Sequence, residues 1–260
     1  MNLQVALGAT LRALPRLWSG AVGALALCLA AWLAPVIVPM TGALWTTIWI
    51  LVTGLATLVA VGALTRLAVT DDVAGARTLG LGPLGLQFGR PEARLLGAAA
   101  LCLIFLAMIL IVLSLVVLAI FGTAELDVAA IQARDWSRVG APWKLGLLTA
   151  LGLGALLVPL LLIVRLALFA PATLGRRQMV SLNSMGIAYG SFWPLLAGLI
   201  VTALPKIVLL VLIGGGVISG LTASLAWTVG LIGLQFPLTL GFLGAAYRQL
   251  EYWTPEETKP

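Results

Sequence analysis

Residues 144–165 read KLGLLTALGLGALLVPLLLIVR. Lys144 and Arg165 bracket 20 uncharged, mostly apolar residues. A helix rises about 1.5 Å per residue, so this stretch matches the roughly 30 Å of a bilayer's hydrocarbon. Charges at both ends and none between them are the pattern of a membrane span.

The rest of the chain repeats the pattern. It is 62% hydrophobic and 9% charged, with a mean hydropathy of +1.14. Soluble domains carry about 25% charged residues. So few charges cannot cover a water-facing surface, and lipid is the expected solvent. Five further runs read as spans, at approximately 19–40, 43–65, 95–121, 192–213 and 219–246. The stretch 192–246 holds one charge, and the glycines at 214–216 divide it. The expected fold is a single all-α integral membrane domain, 1–260, with six transmembrane helices arranged in two-span repeats. A signal peptide is the other reading of the first apolar run; that run is longer than the usual h-region, which favours an uncleaved span.

The net charge is +6. Six spans place both termini on one side, with Arg12, Arg16, Arg66, Arg77, Arg90, Arg94, Arg165, Arg176, Arg177, Arg248 and Lys259. The other side receives Arg134, Arg138 and Lys144. That bias predicts a multi-pass membrane protein with both termini cytoplasmic. The basic residues form no stripe, so nucleic acid is not expected as a partner.

Arg66, Arg165 and Arg248 close the second, fourth and sixth spans. A snorkelling anchor at the cytoplasmic edge is the simplest reading; a bound lipid headgroup is the sharper one. After Arg66, LGLQFGRPEARLLG (84–97) aligns without gaps to MGIAYGSFWPLLAG (185–198), which follows Arg165. We read an internal repeat of interfacial segment, two spans and closing arginine. The interfacial segments are 2–17, 72–90 and 172–190. In the first, Leu3, Leu7, Leu11, Leu14 and Trp18 share a face, and Pro15 is expected to bend or end the helix. Asp71 or Asp72 can cap a helix in the second, and Arg176 and Arg177 join the headgroup candidates in the third. The outer loop, 122–143, is expected to hold a short interfacial helix anchored by Trp136 and Trp143. The tail after residue 250 is expected to be weakly ordered.

Chemistry is sparse. The chain has no histidine, which removes imidazole bases and His–Cys zinc sites. Cys28 and Cys102 lie in apolar runs and read as packing residues. GLGPLG (80–85) matches a dinucleotide fingerprint in letters only, because a span precedes it and a proline interrupts it. No metal or cofactor is expected. All nine acids are assigned to loops or the tail, which weighs against ion-coupled transport. Lys206 is the one intramembrane charge, beside Pro205. It can snorkel outward, face the bundle interior toward a carbonyl or phosphate, or serve a serine–lysine hydrolase. Gly216/Gly220 and Ala226/Gly230 offer close helix packing.

RLALFAPATLGRRQMVSLNSMGIAYGSFWPLLAG (165–198) resembles an element of bacterial polytopic proteins. These are similar to the membrane domain of glycerophosphoryl diester phosphodiesterases and to YciC-like relatives. The shared features are the span-ending arginine, Pro171-Ala172, a surface helix with Ser181 and Ser184, and GSFW opening the next span. No phosphodiesterase domain accompanies them. The resemblance implies a membrane bundle rather than a hydrolase. The expectation is a non-catalytic protein, not an enzyme, that organises or assists lipids or a membrane complex. Its partners would be membrane lipids or another membrane protein. The alternative is a lipid or amphiphile transporter using Lys206 and the interfacial arginines.

Overall fold

The computed structural model describes residues 1–38, 42–123, 127–134 and 139–251. It is all-helical, with no strand among the described residues. The order is α1 (Leu3–Gly20), α2 (Val22–Ile37), α3 (Ala43–Val69), α4 (Val73–Thr78), α5 (Arg90–Thr123), α6 (Val128–Gln132), α7 (Pro142–Leu166), α8 (Phe169–Gly175), α9 (Ser184–Ile187), α10 (Phe192–Gly214), α11 (Gly220–Val229) and α12 (Phe236–Glu251). A 3₁₀ turn spans Pro83–Gly85, and a π-helical segment, Gly230–Gln235, joins α11 to α12. Five helices are long and apolar enough to cross a membrane: α3, α5, α7, α10 and the α11–α12 unit. The α1–α2 pair makes a sixth if it is counted as one broken span, bent by 78°. The protein is a multi-pass membrane bundle. Positions 39–40 of the first expected span, Glu125, Asp135, Trp136, Arg138 and the tail 252–260 lie outside the described residues.

The first span needs correction. Pro15 does not end α1, which runs on to Gly20; the elbow falls at Ala21. Proline loses one backbone donor, and the flanking turns carry the helix past it. Asn2 starts the helix, its side-chain oxygen accepting from the Gln4 and Val5 amides. The buried stripe of α1 is Ala6, Thr10, Leu14 and Leu17. Leu11 and Trp18 face outward. One apolar face therefore meets the bundle and another remains for the membrane interface.

The core sits toward the end of the bundle that carries α1, α4, α8 and the arginines, here the basic end. Buried residues on α3 run from Ala56 to Val69, on α5 from Glu92 to Cys102, and on α10 from Leu195 to Thr202. Packing there depends on missing side chains. A Cβ on Gly244 of α12 would lie 2.5 Å from that of Ala68 on α3, and one on Gly198 of α10 would lie 1.9 Å from the Phe242 ring. Gly216 and Gly220 pack against nothing; they hold positive φ in the turn between α10 and α11. Of the two pairs marked by spacing, Gly216/Gly220 is thus not a packing site, whereas a Cβ on Gly230 would lie 3.2 Å from Leu209 Cδ2. At the opposite end α5 has no buried residue from Leu103 to Thr123. Only Phe105, Leu106, Ile109, Leu113, Val117 and Ile120 are half-buried, on the helix that packs with α7.

Candidate functional site: the arginine-bearing end

The final turns of α3, Ala63 to Val69, are buried on every side, because α1, α8 and α12 surround them. Arg66 lies inside this collar with 0% of its side chain exposed, and Glu92 in the first turn of α5 with 1%. Arg66 Nη2 stands 2.6 Å from Glu92 Oε1, and Arg66 Nε donates to the Leu79 carbonyl at 3.0 Å. The Gln87 amide is satisfied at both ends when its oxygen accepts from Arg66 Nη1 at 3.0 Å and its nitrogen donates to Gly85 O at 2.6 Å. Gly62, one turn earlier, leaves the space: a Cβ there would lie 3.2 Å from both Arg66 Nη1 and Glu92 Oε1. The α5 N-terminus adds favourable field for the carboxylate.

Arg66 is therefore not a snorkelling anchor, and a lipid phosphate has no route to it in this structure. Its stem would reach water only by unpacking α4 and α5. Glu92, assigned from the sequence to a loop, is the partner that sequence reasoning missed. It lies within the first turn of α5, because that helix starts at Arg90 rather than at 95. Pro91 and Glu92 as a proline and an acid in consecutive positions, suited to a helix's first turn, were the available clue.

The other arginines staple separate elements together. Arg16 Nη2 donates to the Leu67 and Thr70 carbonyls at 3.0 and 2.9 Å, completing the end of α3. Burial lowers the Arg16 pKa, and the nearby Arg248 guanidinium lowers it further; Asp71 and Asp72 oppose that. Arg248 pairs with Asp71. Asp72 caps α4, accepting from the Gly75 amide at 2.6 Å. Arg176 grips Glu251 with two hydrogen bonds of 2.7 Å, which raise its pKa. Asn2 N donates to Gln249 Oε1 at 2.9 Å, so both ends of the described chain meet at this end of the bundle. Arg165 is half-buried, and its enclosed Nε has no hydrogen-bond partner in the structure. The three span-ending arginines therefore occupy three different environments.

Arg94 and Arg177 converge. Arg94 Nη1 donates to the Arg177 carbonyl, and Arg177 Nη2 donates to Thr78 O at 2.9 Å. Arg177 holds φ +54°, a left-handed conformation that non-glycine residues seldom adopt. Nearby, α5 and α10 begin directly after Gly89 and at Phe192. Phe88, Tyr189 and Trp193 beside these starts are 71%, 78% and 75% exposed. Such rings suit a membrane–water boundary.

Lys206 lies on α10, exposed, with Nζ 5.3 Å from the centroid of the Trp227 ring. A groove of about 370 Å³ runs beside it, walled by Pro205, Leu209, Trp227, Gly230 and Leu234. The ammonium and the tryptophan lie at similar depth, held by cation–π attraction. The π-helical segment that helps line this groove carries Gly233, whose carbonyl accepts from Trp18 Nε1 at 2.8 Å. At the opposite end, the short helix expected in the 122–143 loop is α6; Asp127 caps it through the Ala129 and Ala130 amides. Trp143 is exposed at the start of α7. Among the described residues no group of His, Cys, Asp and Glu side chains is placed to hold a metal.

Fold and site together define the class: an all-α, multi-pass membrane protein whose buried ion pair and arginine staples lock one end of the bundle. No family model, curated protein or solved structure matches the chain.

Proposed function

We propose that this protein is a non-catalytic component of a bacterial inner membrane, with both termini cytoplasmic, that organises lipids or a membrane complex at its basic end. One observation carries this reading. After the staples are drawn, Arg12, Arg77, Arg90, Arg94 and Arg177 stay on the exposed face of that end, and no carboxylate among the described residues pairs with them. Cations at a boundary also lined by Phe88, Tyr189 and Trp193 suit anionic headgroups, with each basic residue near the surface worth about 1 kcal/mol. The resemblance to the phosphodiesterase membrane domain and YciC-like proteins, and the repeated interfacial segments, agree with such a role.

Lipid enrichment tests it. In vesicles containing brominated phosphatidylglycerol or brominated phosphatidylcholine, the native tryptophans should be quenched more strongly by the anionic lipid. Equal quenching would remove the reading. A carrier for lipids or amphiphiles is the second reading, favoured by the Lys206 groove. It requires that the reconstituted protein accelerate the transfer of fluorescent lipid between leaflets and that Lys206→Ala abolish this; a pure organiser shows neither.

A further inference from the structure

We infer that the cleft between α4, α5 and α8 is a specific phosphate site, filled by the headgroup phosphate of an anionic phospholipid and gripped by Arg94 and Arg177. The inference rests on the lipid-facing reading above and narrows it to one place. The cleft holds about 220 Å³ and is lined by Thr78, Gly80, Pro91, Arg94 and Arg177. That is room for a phosphate group and part of its glycerol, not for a whole lipid. The acyl chains would have to leave it along the apolar surface of α5, where Leu96, Leu103 and Ile104 are exposed.

Three features converge on an anion. Two arginines from segments 83 residues apart line one small cleft, each with its guanidinium on a backbone carbonyl of that cleft's residues. Each uses one described hydrogen bond to a backbone carbonyl, so further N–H donors of each fork remain available. The nearby acids are committed elsewhere: Glu92 to Arg66, Asp71 to Arg248, Glu251 to Arg176 and Asp72 to the cap of α4. The left-handed backbone of Arg177 is a cost met at the position that aims its carbonyl at Arg94 and its side chain at Thr78. Gly80, at φ +89° with open space where a Cβ would be, leaves the mouth of the cleft unobstructed. Paired arginine forks are the favoured ligands for a phosphate's planar oxygen pairs.

The test is lipid retention by the full chain in detergent micelles, read by native mass spectrometry during titration with phosphatidylglycerol, with phosphatidylcholine as the neutral control. The wild type should hold one phosphatidylglycerol about tenfold more tightly than Arg94→Gln/Arg177→Gln, the scale expected for lost charge-assisted bonds. Because those arginines also tie segments together, Thr78→Glu supplies an independent variant. It places a carboxylate in the cleft, so it should abolish retention while leaving the thermal midpoint equal or higher. Millimolar inorganic phosphate should displace the lipid if the headgroup alone is recognised; displacement by phosphate with no preference for phosphatidylglycerol over phosphatidylcholine would overturn the lipid assignment. Arg134→Gln, at the opposite end of the bundle, should have no effect, and Arg12→Gln, on α1, should weaken retention far less than the cleft variants. If Arg12→Gln weakens retention as much as the cleft variants, binding is spread over the face: the site is refuted and the broader reading stands. If phosphatidylglycerol is not preferred and no variant matters, both fail.

Discussion

Of the ion pairs among the described residues, Glu92 and Arg66 form the enclosed one. Both are enclosed, so each is tolerable only because the other is present. Removing one partner from a buried pair costs about 3–5 kcal/mol, whereas replacing both by apolar groups is often near neutral. Glu92→Ala should therefore lower the thermal midpoint in detergent sharply, and Arg66→Met/Glu92→Leu should recover most of the loss. If the single variant melts like the wild type, the pair is not closed to water. Glycines give a second prediction at this scale. Gly85 has φ +79°, and a Cβ on it would lie 2.9 Å from the Ala21 Cα at the elbow. Gly85→Ala meets both the left-handed penalty, about 1–2 kcal/mol, and a backbone clash. Gly54→Ala, with open space around it, should be neutral or slightly stabilising in the same melt.

Helices differ in how far their own residues dictate them. α7 and α10 run at Pro142–Leu166 and Phe192–Gly214, within about three residues of the stretches that charge and glycine boundaries mark out. Spans begin and end where hydrocarbon does, and composition reports that directly. α3 overruns its expected end by a turn, because Arg66 finds Glu92 and need not stop at a headgroup. The π-helical segment has no local signature either. Trp18, from α1, donates to its Gly233 carbonyl. Trp18→Phe removes that donor. It should destabilise by about 1 kcal/mol and speed amide exchange at 230–236, which hydrogen-exchange mass spectrometry reads; unchanged exchange would mean that the segment is held by the helices around it instead.

At the scale of the molecule the bundle is locked at one end and loosely packed at the other. Beyond Cys102, α5 has no buried residue. Tryptophans placed singly at Ile104, Ile111 and Leu118, all exposed on α5, should be quenched by brominated lipid, with emission typical of hydrocarbon. Protection of one of the three would reveal a partner helix or a second copy against that face. The two ends of the described chain meet at the basic end, through Asn2 and Gln249. Tags at the two ends should thus be accessible from the same side of sealed vesicles, and opposite accessibility would contradict the proposed cytoplasmic placement of both termini.

By itself the sequence determined the solvent and the element list. Apolar runs bounded by charge, glycine and proline are local properties, and a bilayer turns local hydropathy into helices that span it. It also marked the arginines as concentrated at one end. It did not determine their partners. Arg66, Arg165 and Arg248 look alike in a row of letters, yet one is enclosed with a carboxylate, one keeps an unpartnered Nε and one meets an exposed aspartate. Only tertiary structure decided this, because an ion pair's worth depends on burial and on side chains brought from distant positions. The same holds for the cleft shared by Arg94 and Arg177, and for the glycines that let α3, α10 and α12 approach.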